Sequence, residues 1–265
     1  MTSLFFPQLM SGALAQYPFR KTQFVRTVKN VLQDGSMILF SDSGGARLIW
    51  QLAYTDLSTT DLQALQAHFN ACLGPFHGFT FIDPTENMLV FSSDLTNAAW
   101  QRSSLIQITS GTTDPEGASS GFTLTNTGQT NQEISQTFAV PANYQYCFSV
   151  YVTTAQASEI TLIRGGATAH QTTTVPIGPS WTRVVSSGRL NDSGTSFTVA
   201  LSLSAGEQVQ LYGLQLEPQV APSRYRPTSE RGGVYSNAHW GVDQLPVIAE
   251  APNLYSTSFS IETTI

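Results

Sequence analysis

Histidine, serine and carboxylate side chains could support hydrolysis, but their order along the chain forms no catalytic arrangement that we can assign. A Ser-His-Asp hydrolase presents its serine on a turn between a strand and a helix. We predict that no such elbow, with its Gly-x-Ser-x-Gly pattern, is present to accompany the histidines, which are His68, His77, His170 and His239. Glycoside hydrolysis needs two carboxylates at a defined separation across the sugar. Acidic residues are frequent between positions 89 and 228, and nothing in their spacing singles out a pair: Asp94, Asp114, Glu116, Glu133, Glu159, Asp192, Glu207 and Glu217. We therefore predict that the chain is not an enzyme.

Aromatic and hydrogen-bonding side chains offer a different chemistry, the recognition of a sugar. Such sites place an aromatic ring against the sugar and surround it with a few polar groups. Tyr151 lies on the opposite face of a predicted strand from its apolar neighbours, so it could form this platform. Arg164 and His170 follow on a nearby strand and loop and could supply a polar rim. We predict Tyr151, Arg164 and His170 as carbohydrate-binding residues, with a structural role as the alternative, and we assign Trp100 and Trp181 to the core.

Metal binding has little support in the sequence. Neither His-x-x-x-His nor Cys-x-x-Cys occurs, and both are common metal-binding spacings. Calcium accepts oxygen ligands in loose geometry, so Asp94, Asn97 and Glu217 could contribute to a structural calcium site. We predict no metal and no cofactor, with structural calcium as the alternative. The two cysteines, Cys72 and Cys147, are interpreted as small buried apolar residues.

Charge and hydropathy exclude several classes of protein. The 265 residues are 41% hydrophobic and only 11% charged, with a net charge of −6. The polar surface is therefore mainly uncharged. The 12 Lys and Arg residues do not form the basic stripe that is typical of a nucleic-acid-binding protein. No apolar stretch approaches the roughly 18 residues that a membrane-spanning helix needs. The first ten residues lack the pattern of a signal peptide, so we expect none.

The elements that must position these side chains are mostly strands. Residues 23–31, 37–40 and 47–54 have the β-branched or alternating character of strands. Turn-forming residues separate them, including those at 43–45. Residues 60–72 form the predicted helix, because apolar residues recur there at spacings of three and four. We assign the aromatic residues of this region to the core: Phe24, Trp50, Phe69, Phe79 and Phe81.

Short alternating segments between residues 89 and 228 predict a β-sandwich. Residues 258–265 alternate again, and a lone strand is not stable. We therefore predict that this last strand completes the sheet that Phe24 and Trp50 begin. The predicted fold class is mainly β: a β-barrel or sandwich domain with one α-helix, built from residues 1–88 and 229–265, and an inserted jelly-roll sandwich of residues 89–228.

Two groups of residues resemble known families. Trp50-Gln-Leu-Ala-Tyr54, the helix around 62–72 and Phe79-Thr-Phe-Ile-Asp-Pro-Thr-Glu-Asn87 resemble the hub of distal tail proteins, which lie at the tail tip of long-tailed phages and related gene-transfer particles. A second, ordered set resembles the carbohydrate-binding-like jelly rolls of phage tail proteins: Phe91-Ser-Ser-Asp-Leu-Thr-Asn-Ala-Ala-Trp100, Trp181-Thr-Arg-Val184, Gly213-Leu-Gln-Leu-Glu-Pro218 and Tyr225-Arg-Pro-Thr228. The chain departs from the simplest distal tail proteins because the sandwich interrupts the hub instead of following it.

The resemblance implies a structural component of a phage or phage-like tail tip or baseplate. The hub would form a homo-oligomeric ring, a hexamer, in contact with other tail-tube and tail-tip proteins. The sandwich would project outward and contact host glycans. The protein would be made in the host cytoplasm and end in the virion. A host-surface glycan-binding adhesin is the alternative, and a tail-associated glycoside hydrolase is a third hypothesis.

The first residues of the chain are apolar and lie outside any predicted strand. Leu4, Phe5 and Phe6 precede Pro7. Burial of these side chains against a neighbouring subunit would explain their composition. We therefore predict that Leu4, Phe5 and Phe6 belong to an oligomer interface.

Overall fold

The computed structural model describes residues 4–265, apart from the side chain of Ser43, and most of the chain forms β-strands. In chain order the elements are β1 (Arg20–Val31), β2 (Met37–Leu57), α1 (Thr59–Cys72), β3 (Phe79–Ile82), β4 (Gln101–Arg102), β5 (Ile106–Thr112), β6 (Gly121–Asn126), β7 (Gln132–Phe138), β8 (Tyr146–Thr153), β9 (Ser158–Gly165), β10 (His170–Ile177), β11 (Thr182–Gly188), β12 (Phe197–Leu203), β13 (Gln208–Glu217), β14 (Val234–Trp240), β15 (Ile248–Ala251) and β16 (Leu254–Thr264). The mainly β fold class with one helix is as the sequence predicts.

The chain divides into two compact units. Unit 1 combines the residues up to 81 with residues 235–265, and unit 2 consists of residues 82–234. The sequence predicts the junctions at 88/89 and 228/229. The roles of the two parts as a ring-forming hub and a glycan-contacting sandwich stay predictions.

Unit 1 is built on a six-stranded sheet with the order β1-β2-β16-β14-β3, and β15 pairs with β16. The last strand pairs with β2, with Ile261 opposite Trp50 and Phe259 opposite Leu52. This confirms the prediction that the final strand completes the sheet of Trp50. Alternation along β2 explains the pairing, because it turns Leu48, Trp50, Leu52 and Tyr54 toward the core, where all are buried.

Two predictions about the first hairpin are wrong. The residues at 43–45 do not form a turn, because β2 continues through them. Gly45 lies so close to Arg26 that a Cβ atom would come within 2.8 Å of the Arg26 side chain, which is why this position suits glycine. Phe24 is not a core residue: it is 44% exposed, on a part of β1 where the residues of both faces are exposed.

The helix begins and ends as its sequence predicts. Ser58 Oγ accepts a hydrogen bond from the backbone N–H of Asp61 at 3.1 Å and so caps the first turn. Leu73 adopts a left-handed conformation at the other end, with φ of 52°. The core-facing stripe contains His68 in place of the predicted Phe69, which is only half-buried. No helix among the described residues is long and apolar enough to cross a membrane.

Aromatic rings fill the core of unit 1, and Phe6 is one of them. The Phe6 ring lies 5.4 Å from that of Phe81 and 5.8 Å from that of Trp240. Trp240 Nε1 donates to His68 Nδ1 at 3.2 Å, and burial lowers the pKa of His68 to about 4, so the ring is neutral. Packing within the chain therefore accounts for the apolar character of Phe6, and an oligomer interface formed by Leu4, Phe5 and Phe6 stays a prediction.

Unit 2 contains two five-stranded sheets that form the sandwich. Sheet I has the order β10-β9-β12-β7-β4, and sheet II has the order β11-β8-β13-β6-β5. Neighbouring strands pair antiparallel throughout. Residues that alternate along the strands fill the space between the sheets, among them Tyr146, Phe148, Leu162 and Leu201, all nearly inaccessible to solvent. Cys147 in this unit and Cys72 in unit 1 are free and buried, which confirms their interpretation as small buried residues.

Candidate functional site

Tyr151 lies on the outer face of sheet II, as its alternation in β8 predicts, but its ring is not an open platform. The Arg183 guanidinium lies over the ring, 5.1 Å from its centroid. Arg183 is held there because its Nη1 donates to the Ser223 carbonyl oxygen at 2.6 Å and its Nη2 donates to Ser149 Oγ at 3.0 Å. The Tyr212 ring is 6.1 Å away. Protein groups therefore surround much of the Tyr151 ring.

Arg164 does not lie at the surface. Its side chain points between the sheets and is 3% exposed. The guanidinium donates to Ser186 Oγ at 2.9 Å, to the Gly188 carbonyl oxygen at 2.7 Å and to the Ser187 carbonyl oxygen at 3.0 Å. These bonds join β9 of sheet I to β11 of sheet II. A side chain so enclosed cannot reach a ligand at the surface, which corrects the prediction that Arg164 forms part of a binding rim.

His170 is exposed and belongs to the other sheet. It is the first residue of β10 and pairs with Gly165 in sheet I. The structure therefore does not gather the predicted set into one site. Tyr151 lies on the outer face of sheet II, Arg164 lies between the sheets, and His170 lies on an edge strand of sheet I. Sugar binding by Tyr151 or His170 stays a prediction.

A shallow pocket in unit 2 brings together aromatic rings and hydrogen-bonding groups, which Tyr151, Arg164 and His170 do not. It has a volume of about 390 Å³ and lies beside β5, β6 and β13 of sheet II. We call it the tyrosine pocket. Two tyrosine rings, one carboxylate, several serine hydroxyls and glycine backbone form its lining: Ser92, Ser93, Asp94, Ser110, Gly111, Ser119, Ser120, Gly121, Phe122, Tyr212, Gly213, Tyr225 and Pro227.

The two tyrosine rings form one wall of the pocket. Tyr212 and Tyr225 meet edge to face, with centroids 5.1 Å apart and an interplanar angle of 70°. The Tyr225 hydroxyl is 3.1 Å from Ser92 Oγ. Burial raises the pKa of Tyr225 to about 12, and burial together with the carboxylates of Glu116 and Asp114 raises the pKa of Tyr212. Both phenols are therefore protonated at neutral pH and can donate hydrogen bonds.

Gly213 makes room for this wall. The residue has a positive φ of 66°, and β13 has an irregular register between Tyr212 and Gln215. A Cβ atom at Gly213 would lie 3.1 Å from Cγ of Tyr225 and 3.3 Å from Cδ2 of Tyr151. A side chain at this position would therefore meet both backbone strain and crowding.

A returning segment, residues 218–228, carries Tyr225 back across the outer face of sheet II. Buried Glu217 anchors one side of it, because its carboxylate accepts from Ser223 N at 3.0 Å and from Ser223 Oγ at 2.5 Å. Gln215 anchors the other side, because its Oε1 accepts from Arg226 N at 2.7 Å. Tyr225 lies between these two anchors, so its position depends on them.

Asn87 and Thr228 connect β13 and the returning segment to residues 87–92, where the chain enters the sandwich. Asn87 is buried; it donates to the Leu214 carbonyl oxygen at 2.9 Å and accepts from Leu216 N at 3.0 Å. Thr228 Oγ1 lies 2.9 Å from Ser92 Oγ. These bonds join the segments that the sequence singled out at 91–100, 213–218 and 225–228. Their first role is therefore structural.

The predicted core tryptophans of unit 2 differ in burial. Trp100 is 4% exposed, and its Nε1 donates to the Phe91 carbonyl oxygen at 3.0 Å, which confirms the core assignment. Trp181 is only half-buried.

Asp94 supplies the carboxylate of the pocket. Its Oδ1 accepts from Thr96 N at 3.0 Å and from Thr96 Oγ1 at 2.6 Å, so a local turn fixes the side chain. Among the described residues that line the pocket, Asp94 is the only one with an ionisable carboxylate. Ser110, Ser119 and Ser120 are exposed and line the same space.

The prediction that the Gly-x-Ser-x-Gly pattern is absent is wrong, although the elbow itself is not formed. Residues 117–121 read Gly-Ala-Ser-Ser-Gly and so match the Gly-x-Ser-x-Gly pattern of a hydrolase elbow. The elbow requires a strand, a sharp turn and a helix. Here residues 117–120 lie in the loop between β5 and β6, and Gly121 is the first residue of the strand β6. No histidine is among the described residues that line the adjoining pocket.

The calcium candidates hold the protein chain instead of gathering around a common point. Asn97 Oδ1 accepts from Ala99 N at 2.9 Å, Asp94 holds Thr96, and Glu217 holds Ser223. Within the part of the chain that the structure describes, no group of three or more His, Cys, Asp or Glu residues could hold a metal ion.

The sequence interpretation did not single out Tyr212 as a ligand contact, and it treated Tyr225 only as part of a motif. A signal for Tyr212 was available. It alternates with the buried residues Leu211 and Val209 along β13 and is followed by Gly213. Tyr225 has no comparable signal, because a loop places it and not a strand.

No protein-family model matches the chain, and no curated protein sequence matches it. Solved structures show distant likeness. The enzymatically active domain of tailspike protein 4 from bacteriophage CBA120 is 12% identical, with a TM-score of 0.41, over 52% of this chain and 22% of that one. The xylan-binding domain from CBM 22 is 15% identical, with a TM-score of 0.41, over 53% of this chain and 99% of that one. TmCBM61 in complex with β-1,4-galactotriose is 15% identical, with a TM-score of 0.37, over 49% of this chain and 97% of that one.

Proposed function

We propose that the chain is a non-enzymatic structural protein of a phage-type tail tip whose unit 2 binds a neutral glycan of the host surface. The observation that carries the glycan-binding part is the tyrosine pocket, where the rings of Tyr212 and Tyr225 face serine hydroxyls and one carboxylate. Aromatic rings with a few placed hydrogen-bonding groups suit a sugar, which has apolar C–H faces and polar edges.

The charge around the pocket favours an uncharged sugar. Asp94 lines the pocket, and Asp114 and Glu116 lie close enough to Tyr212 to raise its pKa. Two cations lie near these three carboxylates: Arg224, 3.9 Å from Glu116, and Arg183, which lies over the Tyr151 ring. An anionic glycan would meet this excess of negative charge, whereas a neutral glycan would meet hydrogen-bonding partners.

Binding without turnover fits the pocket better than hydrolysis. Retaining and inverting glycosidases use two carboxyl groups at defined separations, and Asp94 is the one carboxylate among the described lining residues. Its Oδ1 is engaged by Thr96. This arrangement supports the non-enzymatic proposal and disfavours the tail-associated glycosidase.

A projecting hairpin supports the structural part of the proposal. Residues 23–42, which we call the arm, form the far ends of β1 and β2, and residues 23–41 are all exposed. Large exposed apolar surfaces mark sites of association. Together with the resemblance of residues 50–87 to distal tail hubs, the arm supports a self-associating ring, a hexamer, that contacts tail-tube and tail-tip proteins in a virion.

Glycan binding is tested with the purified full-length chain. We expect a glycan array to show neutral polysaccharides bound in preference to uronic or sialic acid polymers. Tyr212→Ala should weaken binding of the best neutral ligand by roughly thirtyfold, as for an aromatic contact at the centre of a site. His170→Ala, on sheet I, is the matched control and should leave affinity unchanged. Loss of binding in the control alone would place the site on the other sheet.

The three hypotheses separate in the same sample. A ring-sized oligomer, with labelling at tail tips in electron micrographs of particles, supports the tail-tip protein. A monomer that binds glycans supports the host-surface adhesin. Release of reducing sugar from a bound polysaccharide, abolished by Asp94→Asn, would establish a glycosidase and overturn the non-enzymatic proposal.

A further inference from the structure

The arm leaves apolar side chains in water on both of its faces. Pairing between β1 and β2 places Val31, Met37 and Leu39 on one face. The other face carries Val28, Ile38 and Phe40. Val31 is 70% exposed and Phe40 is 52% exposed. A two-stranded ribbon has marginal stability in water, so a partner that covers both faces would stabilise the arm.

The positive charge near the arm indicates that its partner should be acidic. Residues 20–47, the arm with the strand segments at its base, hold five of the 12 Lys and Arg residues and two of the 18 Asp and Glu residues, a local charge of +3 in a chain of −6; the arm itself has two basic and two acidic residues, so the positive excess lies at its base. The strand β1 alone carries Arg20, Lys21, Arg26 and Lys29 and no acidic residue. The rest of the chain therefore has a charge of −9. A second copy of this chain offers the acidic surface that the base of the arm favours.

A notch in unit 1 provides a place for the arm. On the side of β16 opposite β2, pairing with β14 stops at Ile261 and pairing with β15 begins at Ser256. The gap is a notch of about 350 Å³, lined by Gln51, Leu52, Ala53, Val242, Ser258, Phe259 and Ser260.

The surroundings of the notch are acidic and apolar. Asp243 follows Val242, and exposed Glu250 lies on β15 beside Ile248, which is 60% exposed. The sequence has no Lys, Arg or His between positions 241 and 254. The outer edge of β15 is also free among the described residues.

The arm of a molecule cannot fill its own notch. The strand β2 is continuous from Met37 in the arm to Leu57 beyond the notch. At about 3.3 Å per residue, Met37 in the arm lies on the order of 50 Å from Ala53. The occupant of the notch must therefore come from another molecule.

We propose that the arm of one copy docks in the notch and against β15 of a second copy. This inference rests on the proposed self-association and names the two surfaces that form it. The arm and the notch are different surfaces, so the contact is head-to-tail and generates a closed ring or an open chain. Apolar burial supplies the affinity, and the opposite charges of β1 and β15 set the orientation.

Charged and bulky substitutions in the full-length chain test the contact. Val28→Asp and Phe40→Asp alter exposed arm residues, and Ala53→Trp fills the notch. Each should weaken association by roughly thirtyfold, measured by sedimentation or light scattering, because a hot spot of an interface is lost. The matched control is Val220→Asp, a 64% exposed valine in unit 2, which should associate like the unaltered chain. Thermal melts of every variant separate lost association from lost folding.

Mixing provides the sharper test. A head-to-tail contact predicts that the Val28→Asp and Ala53→Trp chains, each defective alone, form a one-to-one dimer when mixed, because one intact arm meets one intact notch. A chain with both substitutions should stay monomeric in every mixture. Arm-to-arm dimers that survive Ala53→Trp would overturn the proposal.

The outcomes also separate this contact from the proposed function. An oligomer that is unaffected by all the arm and notch variants overturns the contact and leaves self-association standing. A chain that is monomeric at its highest soluble concentration overturns both. Glycan binding, measured on the same variants, should be unchanged, because the tyrosine pocket lies in unit 2.

Discussion

The two outer faces of the unit 2 sandwich share one fold and differ in chemistry. Sheet I presents threonines whose hydroxyls pair with each other, at 2.8 Å between Thr137 and Thr198 and 2.9 Å between Thr161 and Thr174. Sheet II presents Tyr151, Tyr212 and Arg183, and a returning segment adds Tyr225. Strand alternation builds both faces equally well. The difference teaches that the segment crossing a sheet, and not the sheet itself, makes the candidate site.

The buried carboxylate of Glu217 holds the returning segment on sheet II, so its removal should have the largest effect. Glu217→Ala leaves the N–H of Ser223 without its acceptor and removes the closer acceptor of its hydroxyl, so it should lower the free energy of unfolding by about 2–3 kcal/mol. It should also abolish glycan binding, because Tyr225 loses an anchor. Glu159→Ala, an exposed carboxylate on sheet I, is the control and should change stability by less than about 0.5 kcal/mol. Chemical denaturation measures the free energy of unfolding of both variants. Equal losses would mean that the Glu217 carboxylate contributes no more to stability than an exposed carboxylate on sheet I.

Much of the strand arrangement could be predicted from the sequence, but the tyrosine pocket could not. Alternation predicted the inward residues of β8 and the pairing of β16 with β2, because burial on one face imposes a period of two. It failed for Phe24, because the arm alternates without having a core to face. The assignment of Arg164 to a polar rim was wrong although Arg164 alternates with buried Ile160 and Leu162 along β9, because serine and backbone oxygens of β11 satisfy its guanidinium between the sheets. The tyrosine pocket depends on where residues 218–228 return, and that contact is not local in sequence.

The backbone at Gly213 gives a second, smaller contrast. Gly213→Ala combines a positive φ of 66° with a Cβ only 3.1 Å from Tyr225. We expect a loss of about 1–2 kcal/mol in stability and weaker glycan binding. Gly178, in the loop between β10 and β11, has nothing within 4 Å of a built Cβ, so Gly178→Ala is the control. Full affinity in Gly213→Ala would show that the placement of Tyr225 does not matter for binding.

Low pH should destabilise the loops beside sheet I, because it protonates Asp192. Backbone N–H groups of Thr168 at 2.6 Å, Gly194 at 2.7 Å and Ala169 at 3.0 Å donate to this carboxylate, and they lower its pKa to about 2. A carboxyl group with a lowered pKa stabilises the fold above its unfolded value of 3.8, and this contribution is lost as the pH falls toward 2.

The matching variant is Asp192→Asn. Unfolding free energies of the two chains should differ most at neutral pH and converge between about pH 4 and pH 2. A difference that stays constant over this range would contradict the assignment. Glycan binding at neutral pH should be nearly unchanged in the variant if binding belongs to sheet II, because Asp192 ties together loops beside sheet I.

The smallest expected effect comes from the edge strand of the threonine face of sheet I. Thr172 is exposed on β10, opposite Ile163 of β9. Thr172→Lys places a long cation there and should change stability by no more than about 0.5 kcal/mol. If the sites are as we propose, affinity for a neutral glycan stays the same, because the lysine points away from the tyrosine pocket. A large loss of affinity in this variant, with Tyr212→Ala unaffected, would reverse the comparison: the flat threonine face would bind the sugar, and the tyrosines would only hold residues 218–228 in place. Isothermal titration of both variants against one ligand decides between these two faces.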